Sequence, residues 1–247
     1  MHILMYHRLG GLPGPMSIPL AAFTAQMRLL AEGPYRALTV ADLHRAVRAG
    51  RLPGRNAVLI TFDDGYLDTI TDALPVLDAC GLPAAMAVCG GYLSPDTLPR
   101  RTPHSSQRFA DAAQVLRWRD SGRDVASHSY THPALPPLSD AALAWQTAVD
   151  HEVLTSLLGE PPALFAYPYG AHDERVREVV ARLYPMALAT DERHAPNAGR
   201  PHVLPRIQVS PHWDLEAFRA ALATDADPRT AQHAATQAGH RRIEGPR

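Results

Sequence analysis

The sequence predicts a single-domain α/β protein built on a parallel β-sheet. Short apolar runs, typical of buried strands, alternate along the chain with longer amphipathic segments typical of helices. This alternation indicates strands joined by helical crossovers, which makes neighbouring strands parallel. The 247 residues would suffice for one large domain or two small ones, and we expect one. An open doubly wound sheet and a closed barrel both produce this pattern.

The predicted elements follow each other in strand–helix order. Strands are predicted at residues 3–6, 58–62, 84–88, 124–127, 164–167, 186–189 and 203–209. Helices are predicted at residues 20–31, 40–49, 66–79, 110–121, 139–158 and 173–183. Ser139 is a candidate N-cap, and Gly122 and Gly159 are candidate helix ends.

Two segments show no strand or helix pattern. Residues 90–106 contain three prolines without periodicity and are predicted to form a long loop over the strand ends. Residues 224–247 are rich in Ala, Thr, Gln and Arg, with few large apolar side chains, so we expect a disordered tail. The folded domain is therefore expected to span residues 1–223.

The charge pattern excludes some classes of function. All 24 basic residues are Arg, against 25 acidic residues, so no Lys is present for Schiff-base chemistry. The Arg are scattered without a basic face, and we expect no nucleic-acid partner. No apolar run is long enough to span a membrane. The chain as given shows no leader and reads as cytoplasmic, or as extracytoplasmic if a leader was removed.

The most informative motif is Thr-Phe-Asp-Asp-Gly at residues 61–65. It places Asp63 and Asp64 directly after an apolar run that reads as a buried strand. A buried carboxylate is costly unless a metal, a cation or hydrogen bonds compensate it, so this pair indicates metal and proton chemistry. An exposed Asp-Asp-Gly turn is the competing interpretation.

A second motif, His-Ser-Tyr-Thr-His at residues 128–132, favours the metal interpretation. His128 and His132 are four residues apart and follow another short apolar segment. Two imidazoles and one carboxylate, with positions left for water and substrate, form the ligand set of a catalytic divalent site.

Together with Phe-Ala-Tyr-Pro-Tyr-Gly at residues 165–170, these motifs resemble the polysaccharide deacetylases of carbohydrate esterase family 4, the NodB-homology domain. The three motifs occur in the family's order, and the resemblance spans roughly residues 1–209. The opening Ile-Leu-Met-Tyr-His-Arg at residues 3–8 is similar to the poly-N-acetylglucosamine deacetylase branch. The resemblance implies a distorted (β/α)7 barrel, and strand-end site residues agree with a barrel.

The resemblance also implies the chemistry. Asp64, His128 and His132 would hold a divalent metal, zinc in the first instance, with cobalt, nickel and manganese as alternatives. Asp63 would act as the base towards a metal-activated water. The backbone N–H of Tyr169 would help to stabilise the oxyanion. The expected substrate is an acetylated carbohydrate of the N-acetylglucosamine type, which suits a chain of nearly balanced charge.

This chain departs from the family at the catalytic acid. Most members carry a Leu-x-His near the C-terminus, and that triplet is absent there. His7 follows a hydrophobic residue two positions earlier at a predicted strand end, and a barrel brings first and last strands together. We therefore assign the acid to His7, with a hydrogen-bonded core histidine as the alternative.

A second departure concerns the third motif, where many members have an Arg that orients the catalytic Asp and this chain has Ala166. Arg206, on the last predicted strand, is our candidate to replace it. A surface Arg is the alternative.

Two classes of function remain open. The first is a metal-dependent hydrolase that removes N-acetyl groups, with O-acetyl (xylan-type) esterase activity at the same site as a sub-alternative within this class. The second is a catalytically silent carbohydrate-binding domain, and retention of Asp63 and Asp64 argues against it. Trp118 and Trp145 lie in helical patterns and are assigned to packing.

Overall fold

Parallel strands form the centre of the computed structural model, which describes residues 1–11, 14–93, 108–190 and 196–223. The strands are β1 His2–Tyr6, β2 Arg8–Leu9, β3 Ser17–Ile18, β4 Arg36–Ala37, β5 Ala57–Phe62, β6 Ala85–Val88, β7 Asp124–Ser127, β8 Leu164–Ala166, β9 Met186–Ala189, β10 Leu204–Pro205 and β11 Ile207–Gln208. The helices are α1 Leu20–Glu32, α2 Val40–Arg48, α3 Leu74–Cys80, α4 Ala112–Asp120, α5 Asp140–Leu158, α6 Glu174–Ala181 and α7 Leu215–Ala223.

The main sheet is nearly closed into a barrel. Its strand order is β10-β9-β8-β7-β6-β5-β1-β11, with β4 added beside the start of β5. The two end strands, β10 and β11, are consecutive in the chain and only Arg206 separates them. The two ends of the sheet are therefore joined covalently. This arrangement confirms the predicted single-domain barrel and excludes the open doubly wound sheet.

The register of the sheet fixes which residues leave the barrel side by side. β1 pairs with β5 so that Tyr6 lies opposite Phe62. The residues that follow, His7 and Asp63, consequently emerge next to each other at the carboxyl edge. β1 also pairs with β11, where Leu4 lies opposite Ile207. The first and last strands thus meet, as the sequence analysis expected.

The core has two main layers because the strands β1, β5, β6, β8 and β9 are buried on both faces. One set of strand residues, such as Val58 and Ile60, packs outward under helix residues such as Phe23 and Met27. The alternate set, such as Leu59 and Leu188, packs inside the barrel. Among the described residues, no helix combines the length and apolarity needed to cross a bilayer.

Most helix ends agree with the capping signals in the sequence. Ser139 caps α5 by accepting a hydrogen bond from the Ala142 N–H, and Gly159 ends this helix in the left-handed conformation. The largest boundary difference is in the helix expected from residue 66, which begins with a π-helical turn at Thr69–Ala73 that continues into α3.

Helix α7, two tryptophans and two segments without a strand or helix pattern remain to be compared with the sequence analysis. The sequence analysis does not predict helix α7 at Leu215–Ala223. Trp118 is buried as expected, but Trp145 is 49% exposed and packs edge-on against Tyr130 rather than in the core. The tail 224–247 and most of the loop 90–106 lie outside the described residues, and the part of that loop at Gly90–Tyr92 is a short 3-10 turn.

Glycine is required at residue 170, just after β8. Its φ is +66°, and a Cβ added there would lie 2.6 Å from the Cβ of Thr190. Gly159 has a similar φ of +79° but open space around it. The two positions share the same backbone conformation and differ in crowding.

We expect Gly170→Ala to lower the free energy of unfolding by about 2–4 kcal/mol, the sum of left-handed strain and a steric clash. Gly159→Ala is the matched control and should cost about 1–2 kcal/mol from the backbone conformation alone. Urea unfolding of both variants measures the difference. Equal losses would show that Thr190 moves aside without cost.

Candidate active site

The carboxyl end of β5 places two acids at the mouth of the barrel. The backbone N–H of Asp63 donates to the Tyr6 carbonyl at 2.9 Å, which extends the pairing of β1 and β5 by one residue. Asp64 and Gly65 then both adopt left-handed backbone conformations, with φ of 70° at each. The chain turns sharply here, and Gly65 fits closely because a Cβ there would lie 2.9 Å from Val88.

Arg206 holds Asp63 in a bidentate ion pair. Nη1 donates to Asp63 Oδ1 at 2.6 Å, and Nη2 donates to Oδ2 at 2.7 Å. The guanidinium also contacts Thr61 Oγ1 and the Ala189 carbonyl, each at 3.4 Å. Both partners are almost fully buried, at 1% exposure for Arg206 and 2% for Asp63. Arg206 is therefore not a surface residue.

The charges around Asp63 keep this acid ionised. Burial alone would raise the pKa of Asp63, but the Arg206 guanidinium and the nearby imidazole of His128 outweigh burial and hold the pKa below its usual value. The pKa of Asp64 is held well below its usual value because hydrogen bonds from His128 and His132 outweigh its burial.

Asp64, His128 and His132 form a triangle of potential ligand atoms. Asp64 Oδ1 lies 3.4 Å from His128 Nε2 and 3.1 Å from His132 Nε2. The two Nε2 atoms are 3.1 Å apart. Among the described residues, these three form the group of Asp, Glu, His or Cys side chains whose ligand atoms all lie within 4.8 Å of one another, close enough to share one ion.

The donor set fits a divalent transition metal. Ligand atoms bound to one ion at about 2.0–2.2 Å stand about 3.0–3.5 Å apart in tetrahedral or octahedral geometry, which is the range of all three separations. Two imidazoles with one carboxylate suit zinc, iron, cobalt or nickel. Three protein ligands leave positions for water and substrate, as catalytic sites require.

The orientation of His128 depends on the third motif. Its Nδ1 lies 2.7 Å from the Ala166 carbonyl, which only accepts hydrogen bonds, so Nδ1 carries a proton and Nε2 is the ring atom that faces the triangle and would bind a metal. The backbone N–H of His132 donates to Ser129 Oγ at 3.1 Å and closes the loop between the two imidazoles.

Backbone strain is concentrated at this site. Among the described residues, the non-glycine positions with positive φ are Asp64, Ser129, His132 and Tyr169. Such conformations cost about 1–3 kcal/mol each and persist where the surroundings impose them. All four belong to the three sequence motifs, so the strain marks the same site independently of side-chain chemistry.

A cavity of about 500 Å³ opens above the triangle. His7 and Tyr169 line it together with Asp63, Asp64, His128, His132 and Arg206. The structure therefore brings together all seven residues singled out from the sequence. Burial lowers the pKa of His7, and the charges of Asp63 and Asp64 oppose this effect. The Tyr169 ring is 70% exposed and packs edge-on against His132 at 4.6 Å between centroids.

Sequence reasoning missed an aromatic wall on this cavity. The Tyr66 and Phe109 rings stack with their centroids 5.1 Å apart, and the centroids of the Phe109 and Tyr92 rings are 4.6 Å apart. All three line the cavity. Tyr66 follows the first motif directly, which is the signal that would have located it, whereas Phe109 is far from any motif.

Comparisons with known proteins agree with these motifs. A family model described as Polysaccharide deacetylase matches residues 51–185, more than half of the chain. The chain therefore belongs to the polysaccharide deacetylase family, whose members are hydrolases acting on amide bonds. The resemblance drawn from the three motifs is confirmed.

Individual relatives cover nearly the whole chain. It is 26% identical to YxkH of Bacillus subtilis over 221 residues, covering 89% of this chain and 75% of YxkH. It is 24% identical over 254 residues to the Escherichia coli poly-beta-1,6-N-acetyl-D-glucosamine N-deacetylase, of which it spans only 38%. The Streptococcus pyogenes deacetylase PplD shares the fold at a TM-score of 0.80 and 22% identity, covering 91% of this chain and 98% of PplD.

The Arg206–Asp63 pair gives a prediction for the metal-free protein. Arg206→Met should lower the free energy of unfolding near pH 7 by about 3–5 kcal/mol, because it leaves a buried carboxylate without a counter-charge. Asp63 has a lowered pKa in the folded wild type, so its contribution is present above about pH 4 and is lost as the pH falls. The difference in the free energy of unfolding between Arg206→Met and the wild type should therefore shrink as the pH falls towards 4.

Urea unfolding at several pH values tests this prediction. Arg123→Met is the control: Arg123 is also buried, but its partner Asp78 is 58% exposed, so removal of the Arg leaves no buried charge. A loss in Arg206→Met that is independent of pH would contradict an ionised Asp63.

Proposed function

We propose that this chain is a metal-dependent deacetylase that removes acetyl groups from N-acetylated carbohydrate of the N-acetylglucosamine type. The observation that carries the proposal is the triangle of Asp64, His128 and His132 beside the ionised, buried Asp63. Zinc is the proposed metal, with cobalt, nickel and manganese as alternatives.

Amide hydrolysis requires a polarised carbonyl, an activated water, stabilisation of the oxyanion and an acid for the leaving amine. A bound zinc ion would polarise the acetyl oxygen and lower the pKa of a water. Asp64, His128 and His132 are the residues that would hold it. Asp64 is not the proposed base, because a carboxylate that holds the ion would have its lone pairs engaged and its basicity suppressed.

Asp63 is the proposed base. A carboxylate has about four lone-pair sites, and Arg206 occupies one on each oxygen. The remaining lone pairs can accept the proton of the attacking water. The bidentate contact also fixes the carboxylate plane, so Arg206 is a positioning residue that takes the place of the third-motif Arg absent at Ala166.

Tyr169 and His7 complete the proposed assignments. The left-handed conformation of Tyr169 turns the chain beside the cavity, and its backbone N–H is the proposed second donor to the oxyanion. His7 lines the same cavity and emerges beside Asp63, so it can protonate the departing amine. Its neutral form is favoured by burial, and the two neighbouring carboxylates help it to gain a proton.

The substrate assignment is supported by the cavity and by the relatives. Aromatic side chains pack against sugar-ring faces, and Tyr66, Tyr92, Phe109 and Tyr169 supply them. The E. coli relative is named as a poly-N-acetylglucosamine deacetylase. A catalytically silent binding domain is disfavoured, because Arg206 makes to Asp63 the contact that the third-motif Arg makes in many members of the family. Ester hydrolysis remains an outcome of the test.

We expect acetate release from N-acetylglucosamine oligomers, and less from acetylated xylan. Treatment with a chelator should abolish it, and added zinc or cobalt should restore it, because the ion supplies the reactive water. Measurement of acetate from both substrates with the wild type, the stripped protein and the reloaded protein tests the proposal. Undiminished release from stripped protein would refute it.

Two variants separate the base from the ligand. Asp63→Asn should bind zinc like the wild type and lose about 10²–10⁴ in kcat. Asp64→Asn should lose zinc as well as activity. A turnover close to wild type in Asp63→Asn would exclude Asp63 as base.

The acid assignment predicts a dependence on the leaving group. His7→Gln should lower kcat for N-acetylglucosamine oligomers by about 10²–10⁴, because an amine leaves poorly without a proton. For 4-nitrophenyl acetate, whose phenolate leaves without protonation, the loss should be small. Asp63→Asn is the control and should lose activity on both. Equal losses of His7→Gln on both substrates would indicate a role other than acid.

A further inference from the structure

Helix α5 presents an unusual set of polar side chains to the protein interior. Gln146, Thr147 and Asp150 are buried on it, and Asp150 is completely inaccessible. Gln146 and Asp150 are four residues apart and so lie on the same side of the helix. Buried polar side chains are costly unless they are bonded, and the proposed chemistry uses neither residue.

Asp150 bonds the side chain of the residue just before His128 and the backbone just after β6. Its Oδ1 accepts from the Gly90 N–H at 2.6 Å, and its Oδ2 accepts from the Ser127 hydroxyl. Ser127 immediately precedes His128, and Gly90 opens the turn that carries Tyr92 to the cavity. A Cβ at residue 90 would lie 2.7 Å from Asp150 Oδ1, so the carboxylate and the glycine fit each other closely.

Gln146 holds the segment between the two imidazoles. Its side-chain oxygen accepts from the Thr131 N–H at 2.9 Å, and its Nε2 donates to Thr131 Oγ1 at 2.7 Å. Its carbonyl also accepts from the Tyr130 N–H at 3.0 Å. Thr131 immediately precedes His132. One helix face therefore bonds the residue before each imidazole.

We propose that Gln146 and Asp150, which we call the α5 clamp, are positioning residues that set the distance between His128 and His132. The ligand loop contains two left-handed residues, Ser129 and His132, and strained backbone holds its shape only where several contacts impose it. The clamp supplies those contacts from outside the ligand triangle. This inference rests on the proposed metal site and extends it to residues that touch neither metal nor substrate.

The test is zinc affinity, measured by competition with a chromophoric chelator. Asp150→Ala and Gln146→Ala should each weaken zinc binding by about 10- to 100-fold, the usual effect of removing a group that orients a metal ligand. Asp150→Asn should recover affinity to within a few fold, because its oxygen accepts from Gly90 and its amide donates to the Ser127 hydroxyl.

Leu154→Ala is the matched control, since Leu154 is a fully buried α5 residue in the apolar core. It should destabilise the fold and leave zinc affinity within about twofold of the wild type. Amide hydrogen exchange in the metal-free protein is the second readout: the Gly90 amide should exchange faster in Asp150→Ala, and the Thr131 amide faster in Gln146→Ala.

The outcomes separate a failure of the metal site from a failure of the α5 clamp. If the wild type binds no zinc, the proposed metal site fails and the clamp fails with it. If the wild type binds zinc and both alanine variants bind it as tightly, or Leu154→Ala weakens it equally, only the clamp is refuted. Should Asp150→Ala not fold, the less buried Gln146→Ala decides the question.

Discussion

The ion pair between Asp63 and Arg206 is the interaction on which the rest of this structure depends. Arg206 is the single residue between β10 and β11, the two strands at opposite ends of the sheet order. Its guanidinium therefore lies where the barrel closes, and its partner follows the central strand β5. Without this pair, a buried cation and a buried anion would each remain uncompensated, which a protein interior tolerates poorly. The same residue, Arg206, thus lies where the barrel closes and holds the proposed base, Asp63, ionised and in a fixed orientation.

The register of the strands explains why residues far apart in sequence share one cavity. Parallel strands present their carboxyl ends at the same edge, so the residues that follow β1, β5, β7 and β8 all meet there. His7, Asp63, His128 and Tyr169 each come from one of these strand ends. No single loop has to position the whole site, because the sheet already fixes where each loop begins. What the loops add is strain: Asp64, Ser129, His132 and Tyr169 adopt conformations that only neighbouring contacts can hold.

Much of this arrangement was predictable because apolar runs and short motifs carry strong local signals. The seven predicted strand positions all correspond to observed strands, and the residues of the three motifs meet in one cavity. The last predicted strand, residues 203–209, is in fact two short strands separated by Arg206. The pattern of apolar residues did not reveal this break. Phe109 and the buried face of α5 were missed for a related reason. Their importance lies in contacts with distant segments, and a single sequence does not record those contacts.

Trp145 shows the reverse error. A helical pattern placed it in the packing, but its position on α5 is turned away from the core, and Tyr130 covers only part of its ring. Buried positions in the middle of that helix are instead occupied by the polar residues Gln146 and Asp150, between the buried apolar residues Leu143 and Leu154. The ordinary rule of apolar inside and polar outside fails in this middle part of α5, because its inner face there bonds Gly90, Ser127 and Thr131 rather than packing on an apolar layer. Loop N–H groups that enter the interior need acceptors, and side chains of a neighbouring helix can provide them. A buried polar stripe on an otherwise ordinary helix is therefore a sign that the helix packs against functional loop backbone.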